Sequence, residues 1–391
     1  MNKGKALVPK LRFVEFQKSE GWAVRPFQKL FTIGSGRDYK HLSMGSVPVY
    51  GSGGHMLCVN DFLYDGESVC IGRKGTINNP MFLTGKFWTV DTLFYTHSFQ
   101  QCLPKFIFAI FQNIDWLKHN EAGGVPSLSK TIIEKIQTAI PEILEQQKIA
   151  DCLSSLNELI AALTRKVDAL KTHKKGLMQQ LFPREDETQP RFRFPEFREA
   201  GEWSQELLGD IANVLMCKRI FANETNLTNG VPFYKIGTLG GIPDAFISKE
   251  IFSDYKQRYN YPRLGEVLIT CSGTIGKCLP FDGRDSYFQD SNIVWIDNPT
   301  LTVTNRLLLS ILSNVDWSGL NSTTITRIYG PDLRGLAITF PRDHLEQQRI
   351  ADCLTSLDDL ITAATQQLET LKTHKKALMQ QLFPSAEAIE K

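Results

Sequence analysis

The sequence predicts an α+β protein: two mixed, sheet-rich domains separated by two long helices that form an antiparallel coiled coil with pseudo-two-fold symmetry. Three observations lead to this prediction. One segment occurs twice in the chain, at an offset of 201 residues. Within each copy, apolar residues alternate three and four positions apart, which is coiled-coil spacing. The remaining regions contain short apolar runs between glycine-rich turns, as sheet-rich domains do.

The duplicated segment is long and closely matched. Residues 145–183 and 346–384 are identical at 27 of 39 positions. A weaker repeat precedes each copy, since Pro9–Phe16 resembles Pro190–Phe197 and each is followed by a tryptophan. The chain is therefore a tandem duplication in which the predicted helices stayed alike while the domains diverged.

Each strong copy carries a heptad stripe sustained over about five heptads, which predicts a long helix that needs a partner stripe. Lys174 and Lys375 interrupt the two stripes at equivalent positions. The apolar positions are Ile149, Leu153, Leu156, Ile160, Leu163, Val167, Leu170, Leu177 and Leu181 in the first copy, and Ile350, Leu354, Leu357, Ile361, Ala364, Leu368, Leu371, Leu378 and Leu382 in the second.

The simplest partner for one stripe is the other stripe. The first helix leads from one domain to the next, so the helices must run antiparallel if the domains lie at opposite ends. The alternative is two separate helices, each packed on its own domain. Pro141 and Pro341 suit first-turn positions, and Pro183 and Pro384 end the helices. The predicted segments are domain 1 (1–140), helix 1 (141–183), domain 2 (184–340, beginning with a linker at 184–189) and helix 2 (341–391).

Within the two domains, short apolar runs bounded by Gly, Pro, Asn and Asp predict strands. Helices are expected near residues 105–113 and 305–313. The predicted strands include Glu67–Gly72, Val90–Tyr95, Val267–Thr270 and Ile293–Ile296. The glycine-rich turns are Gly34–Gly36, Gly51–Gly54, Gly123–Gly124 and Gly237–Gly241.

Composition is that of an ordinary globular protein. The chain has 391 residues, 42% apolar and 22% charged, with a formal charge of +2, which excludes a disordered, fibrous or strongly basic protein. Residues 184–340 carry a net charge of −3, so that domain must concentrate its positive charge on one face to meet phosphate. No signal peptide is recognised, and no apolar stretch approaches ~18 residues. With eight scattered cysteines expected to be reduced, we expect a cytoplasmic protein.

Motifs that would indicate catalysis are incomplete. Gly273–Cys278 lacks the spacing and the hydroxyl of a phosphate-binding loop. Asn79–Phe82 resembles an amino-methyltransferase motif but lacks its second proline and an upstream cofactor-binding strand. The seven histidines show no metal-ligand spacing. We therefore expect no active site, metal site or cofactor in this chain.

Two similar but diverged domains on a rigid spacer suit a target made of two short sites that differ in sequence. Duplex DNA is such a target, because its major-groove faces recur every ~34 Å. This argument leaves a coiled-coil adaptor without nucleic-acid function open, and with less support a stand-alone DNA adenine methyltransferase.

The twin EQQ-[KR]-IADCL starts and the twin LKTHKK-x-LMQQLFP ends resemble the specificity subunit of type I restriction–modification systems, over essentially the whole chain. The resemblance implies two target-recognition domains, each of which reads one half of a bipartite, asymmetric DNA target, and helices that set the unread spacer. It also implies docking of two modification subunits, which methylate adenine, and of restriction subunits, which cut DNA. S-adenosylmethionine, ATP and Mg would then belong to those partners, and this chain would be a non-catalytic subunit that confers specificity on them.

Candidate DNA contacts lie on or beside the glycine-rich turns. Arg and Lys can pair with guanine or phosphate, while Ser and Thr serve either base or phosphate. The turns at Thr76 and Thr274 are shared by both domains, although turn geometry alone also explains that match. The candidates are Arg37, Tyr50, Ser52, Arg73, Lys74, Thr76 and Lys86 in the first domain, and Lys218, Arg219, Lys235, Thr238, Ser272, Thr274, Lys277 and Arg327 in the second.

Helix positions outside the stripe also match between the copies, which packing within one helix pair does not require. We expect these faces to point outward and to dock two equivalent subunits, although recent duplication without drift is the alternative. The docking candidates are Gln146, Gln147, Lys174, Lys175, Gln179, Gln180, Gln347, Gln348, Lys375, Lys376, Gln380 and Gln381.

Overall fold

A computed structural model describes residues 7–184, 187–317, 327–385 and 388–389. The chain divides into two compact units. The first unit comprises residues 1–166 and 364–391, and the second comprises residues 167–363. Each long helix therefore contributes residues to both units.

The first unit contains two four-stranded sheets and a two-stranded ribbon among its described residues. The sheet orders are β2-β9-β6-β7 and β4-β3-β8-β5, and the ribbon is β1-β10. The elements are β1 (Ala23–Pro26), β2 (Thr32–Ser35), β3 (Met44–Gly51), β4 (Gly54–Val59), β5 (Tyr64–Asp65), β6 (Ser68–Gly72), β7 (Met81–Leu83), β8 (Lys86–Thr89), β9 (Leu93–His97), α1 (Pro104–Asn113), α2 (Lys130–Lys135) and β10 (Gln137–Ile140), followed by the long helix α3 (Ile143–Leu181).

In its described part the second unit repeats one sheet order, β12-β19-β16-β17, and the ribbon, β11-β20, whereas its other sheet, β13-β15-β14-β18, carries its fourth strand on the opposite side. In both units one pair is parallel, β3 with β8 and β14 with β18. The elements are β11 (Ser204–Leu207), α4 (Leu208–Ile211), β12 (Asn213–Leu215), β13 (Thr225–Asn226), β14 (Val231–Tyr234), β15 (Phe246–Ile247), α5 (Lys249–Arg258), β16 (Val267–Thr270), β17 (Cys278–Pro280), β18 (Tyr287–Phe288), β19 (Ile293–Asp297), α6 (Asn305–Leu312), α7 (Gly330–Arg334) and β20 (Ala337–Phe340), followed by the long helix α8 (His344–Leu382).

The start of one long helix packs with the end of the other in each unit. In the first unit, Ile149 and Leu153 of α3 share a core with Leu382 of α8. In the second unit, Leu181 of α3 shares a core with Leu354 of α8. The antiparallel pairing predicted from the heptads is confirmed, and no position of either predicted stripe is exposed.

The α+β prediction is confirmed, and several element bounds differ slightly from the predicted ones. Helices α3 and α8 begin at Ile143 and His344, so Pro141 and Pro341 precede the first turn instead of lying in it. Each proline carbonyl accepts a hydrogen bond from a buried glutamine side chain of the following helix. The predicted strand over residues 90–95 begins only at Leu93, because residues 90–92 form a loop.

A segment before each domain is fixed to both long helices of its unit. Arg12 forms a buried ion pair with Glu145 of α3, at 2.7 Å, and the Leu11 amide donates to the carbonyl of Gln381 in α8. The second unit repeats this arrangement through the pair Arg193–Glu346, also at 2.7 Å. All eight cysteines are free thiols. Within the described residues, no helix combines the length and apolar character that crossing a bilayer requires.

Candidate nucleic-acid interface

The loop between β8 and β9 gathers three distant segments of the first unit. We call residues 89–92 the first hub. The Thr89 carbonyl accepts from the Arg37 amide at 2.8 Å, and the Thr92 carbonyl accepts from the Arg73 amide at 2.8 Å. The Val90 amide donates to the Tyr50 carbonyl at 2.9 Å. These bonds form there because the parallel pair β3–β8 and the antiparallel pair β6–β9 both end at this loop.

Most of the predicted contacts of the first domain lie around the first hub. Arg37, Arg73 and Lys74 are exposed. The Ser52 hydroxyl lies 3.5 Å from where a β-carbon would stand at Gly75, a residue with φ of +86°, so the turn that carries Thr76 also approaches Ser52. The structure thus brings six of the seven predicted residues together: Arg37, Tyr50, Ser52, Arg73, Lys74 and Thr76.

Lys86 lies elsewhere. It begins β8, the strand whose last residue, Thr89, belongs to the first hub. Its ammonium lies 4.7 Å from the centre of the Phe62 ring, a distance at which the electron-rich face of the ring attracts a cation. Lys86 remains a predicted DNA contact, but it does not lie with the six residues around the first hub.

A concavity of about 460 Å³ opens beside the first hub. Sequence reasoning missed several of its residues, among them Ser35 and Ser127, although these lie in or beside the predicted turns Gly34–Gly36 and Gly123–Gly124. Lys130, at the start of α2, is the cation that it missed. The concavity is lined by Ser35, Arg73, Lys74, Phe94, Glu121, Ser127, Leu128, Ser129 and Lys130.

The loop between β18 and β19 has the same position in the second unit. We call residues 289–292 the second hub. The Gln289 amide donates to the Tyr234 carbonyl at 2.9 Å, and the Asn292 carbonyl accepts from the Cys271 amide at 2.8 Å. The same strand ends therefore meet in both units, although the loop sequences differ.

Three of the predicted contacts bind the second hub through their side chains. The Arg219 guanidinium lies 2.9 Å from the Asp290 carboxylate. The Ser272 hydroxyl donates to the Asn292 side-chain oxygen at 2.8 Å, and the Arg327 guanidinium donates to the Ser291 carbonyl at 2.9 Å. Asp290 and Asn292 lie in a loop without glycine or basic residues, so no sequence pattern singled them out.

The other predicted residues of the second domain form hydrogen bonds, an ion pair or a cation–ring contact with residues outside the second hub. The Lys277 ammonium donates to the Leu239 carbonyl. Lys235 pairs with Asp244 at 3.1 Å, and the Thr238 hydroxyl accepts from the Lys235 amide at 3.0 Å. The remaining two are Lys218, whose ammonium lies 5.3 Å from the Tyr259 ring centre, and Thr274, whose carbonyl accepts from the Thr270 hydroxyl. Contact with DNA would require the Lys277, Lys235, Thr238 and Lys218 side chains to share or exchange their present partners, whereas Thr274 is engaged through its backbone carbonyl.

Burial keeps the thiols beside the second hub neutral. Desolvation raises the pKa of Cys271 to about 11 and that of Cys278 to about 12, so neither forms the thiolate that nucleophilic chemistry needs. Near the first hub, desolvation and the charge of Lys130 lower the pKa of His97. In the part of the chain that the structure describes, no three His, Cys, Asp or Glu side chains are grouped as a metal site.

Two of the predicted docking residues do not point outward. Gln146 and Gln347 are fully buried. The Gln146 side chain donates to the Pro141 carbonyl and accepts from the Leu103 amide, so it fixes the start of α1. Gln347 does the same before α6. The prediction of outward faces was wrong here, because both glutamines lie on the heptad stripe, three residues before its first apolar position.

Two of the docking lysines already have partners inside their unit. Lys174 of α3 lies 2.6 Å from Asp358 of α8, and Lys375 of α8 donates to the Gln112 side chain at 3.3 Å. Desolvation lowers the pKa of Lys375. The remaining candidates, which stay predicted docking residues, are exposed: Gln147, Lys175, Gln179, Gln180, Gln348, Lys376, Gln380 and Gln381.

The fold and the two hubs define a duplicated protein with one candidate recognition surface in each unit. Known proteins share this duplication. The family profile described as "Type I restriction modification DNA specificity domain" matches residues 19–172 and 201–373. The chain therefore belongs to the type I restriction–modification DNA specificity family.

Individual members of the family are similar over most of their length. A putative type I restriction enzyme specificity subunit from Haemophilus influenzae is 33% identical over 328 residues, which is 83% of each chain. The MjaVIII specificity subunit of Methanocaldococcus jannaschii is 25% identical over 344 residues, covering 82% of this chain and 77% of that one.

Solved structures share the fold. The S subunit of the type I system from M. genitalium superposes with a TM-score of 0.68 at 14% identity, covering 97% of this chain and 100% of that one. A chain from a structural study of complex assembly in the type I R-M system gives a TM-score of 0.51 at 16% identity, covering 94% and 98%.

Proposed function

We propose that this chain is the DNA specificity subunit of a type I restriction–modification complex, in which the surface around each hub reads one half of a bipartite, asymmetric target. The observation that carries the proposal is the repetition of one hub architecture in two units whose loop residues differ. Equal architecture supports the same task in both units, and different side chains support different base sequences.

The partners in this proposal supply the chemistry. Two modification subunits dock on the exposed faces of the long helices and methylate adenine at N6 with S-adenosylmethionine, while the helices set the unread spacer. Restriction subunits join that core and use ATP and Mg in cleaving DNA. The chain itself binds no cofactor and acts as the non-catalytic part. A cytoplasmic location suits this role, because the DNA to be modified or cut is found there.

Exchange of one domain tests whether each unit reads one half of the target. Residues 184–340 are replaced by the matching domain of another family member, and the complex is assembled with its modification subunits. Because the second hub lies wholly within the exchanged segment, we expect one half of the target to change and the other half to stay. Sequencing of methylated sites from a randomised DNA pool measures both halves.

The reciprocal exchange of residues 1–140 serves as the matched control and should change the opposite half. If both halves change in either exchange, or neither does, the assignment of one half-site to each unit is wrong.

A further inference from the structure

The loop of residues 120–128 in the first unit is folded back on itself. The Asn120 side-chain oxygen accepts from the amides of Ala122 and Ser127, at 3.1 and 2.9 Å. The Asn120 side-chain nitrogen donates to the Ala122 carbonyl at 2.8 Å. One asparagine side chain therefore closes the loop and limits its conformations, as asparagine does in many turns.

The same loop is docked on the turn that follows β6. The Leu128 amide donates to the Arg73 carbonyl at 2.9 Å, and the Gly75 amide donates to the Pro126 carbonyl at 2.9 Å. The loop thus forms one wall of the concavity beside the first hub. The corresponding docking bond of the second unit runs from the Ile328 amide to the Cys271 carbonyl.

Docking of the loop brings a carboxylate among cations. Glu121, whose amide donates to the Ser127 carbonyl at 3.1 Å, lines the concavity together with Arg73, Lys74 and Lys130. Among the described residues, Glu121 has no ion-pair partner within 4 Å, and neither does Lys74. The carboxylate is exposed and available as a hydrogen-bond acceptor.

A carboxylate in this position opposes phosphate binding, since it repels the DNA backbone that the three cations attract. Its chemistry suits a base instead. In the major groove, cytosine N4 and adenine N6 present amino groups that donate hydrogen bonds, and Glu or Asp accepts from such a group. The cations can bind either phosphate or guanine, whereas Glu121, the one carboxylate among the lining residues of the concavity, is suited to a base that presents an amino group.

We propose that Glu121 is a specificity-determining residue of the first unit, and that its carboxylate accepts a hydrogen bond from the exocyclic amino group of one base, cytosine N4 or adenine N6. This inference rests on the DNA-reading function proposed above. It adds the base chemistry that one position of the first half-site must offer.

The test uses the full-length chain assembled with its modification subunits. Duplexes are selected from a pool in which both half-sites are randomised, and the bound fraction is sequenced for the wild type and for Glu121→Ala. We expect the wild type to enrich cytosine or adenine at one position, and Glu121→Ala to lose about tenfold of that preference while other positions keep theirs. Replacing that base with 2-pyrimidinone or purine, which lack the amino group, identifies cytosine or adenine as the donor.

Glu67→Ala is the matched control, because Glu67 is an exposed glutamate before β6 that does not line the concavity. It should leave every base preference unchanged. If Glu121→Ala keeps the wild-type base frequencies, or shifts affinity equally for all sequences, the proposal is overturned while the DNA-reading function stands. A wild-type complex that enriches no sequence overturns both.

Discussion

At the scale of single residues, the twin buried ion pairs fix each domain to the long helices. The Arg12 side chain is 6% exposed and Glu145 is 2% exposed, and the Trp22 indole donates to the same carboxylate at 3.2 Å. The hydrogen bond to Glu145 raises the pKa of Arg12 above its ordinary value. The raised pKa means that this contribution to stability is fully present below the ordinary arginine value, and therefore throughout the neutral range.

Removing one partner of this pair should strongly destabilise the first unit. Arg12→Ala leaves the Glu145 carboxylate buried without its cation, which costs about 3–5 kcal/mol. We expect lost amide protection in hydrogen exchange over the first turns of α3. The control is the double variant Arg12→Met with Glu145→Leu, which removes both charges and should restore most of the protection. Full protection in Arg12→Ala would contradict this role.

The buried glutamines show what the sequence could have revealed at this scale. Gln146 lies three residues before Ile149, and Gln347 three before Ile350, so both continue the heptad stripe inward. We predicted that both glutamines are exposed because glutamine usually lies at the protein surface, although the heptad spacing places them on the buried stripe. The capping of a neighbouring helix by each amide could not be predicted, because it depends on contacts about 45 residues apart, as from Gln146 to Gln101.

At the scale of elements, the heptads predicted α3, α8 and their antiparallel pairing, because local spacing fixes both a helix and its apolar face. The hubs were not predicted. Each depends on a parallel strand pair that joins residues about 40 to 50 positions apart, such as Tyr50 with Thr89. Glycine and charge directed attention to the turns around the hubs, whereas the hub loops themselves carry no such signal.

One of the differences between the two copies changes an ion pair of the helix pair. In the second unit Lys174 is bridged to Asp358, whereas the residue equivalent to Asp358 in the first copy is Asn157. Lys375, the equivalent of Lys174, donates to the Gln112 amide oxygen instead of to a carboxylate. Its lowered pKa means that the folded state disfavours the charged form, so its charge opposes folding at neutral pH.

Asn157→Asp should therefore stabilise the first unit. By the repeat, the new carboxylate lies next to Lys375, so we expect the pKa of Lys375 to rise and the free energy of unfolding to increase by about 0.2–1 kcal/mol. Asp358→Asn should lower it by a similar amount in the second unit. Chemical denaturation at low and high salt measures both, and the gain should shrink as salt screens the pair. A loss of stability in Asn157→Asp would show that the two positions do not meet.

At the scale of the whole molecule, the duplication separates what is repeated from what varies. Both units repeat the buried ion pair, most of the strand pairings and the bonds between strand ends and hub, while the hub loops and the turns around them differ. This division is expected if the varied surfaces read two different DNA sequences while the repeated surfaces bind two equivalent partner subunits. The exposed helix residues that match between the copies belong to the repeated part, which is why we infer that they meet other chains.

Docking should therefore be lost one site at a time. Lys175 and Lys376 are the equivalent, exposed lysines of the two copies. Unlike Lys174 and Lys375, they form no ion pair or side-chain hydrogen bond with another described residue. We expect Lys175→Glu and Lys376→Glu each to bind one modification subunit, and the double variant to bind none, because a reversed charge in an interface costs several kcal/mol. Native mass spectrometry counts the subunits.

Lys166→Glu is the control. Lys166 is also exposed on α3, but the equivalent residue of the second copy is Gln367, so this position is not matched between the copies. The complex with this variant should contain two modification subunits. A double variant that still binds two modification subunits would rule out these helix faces as the docking sites.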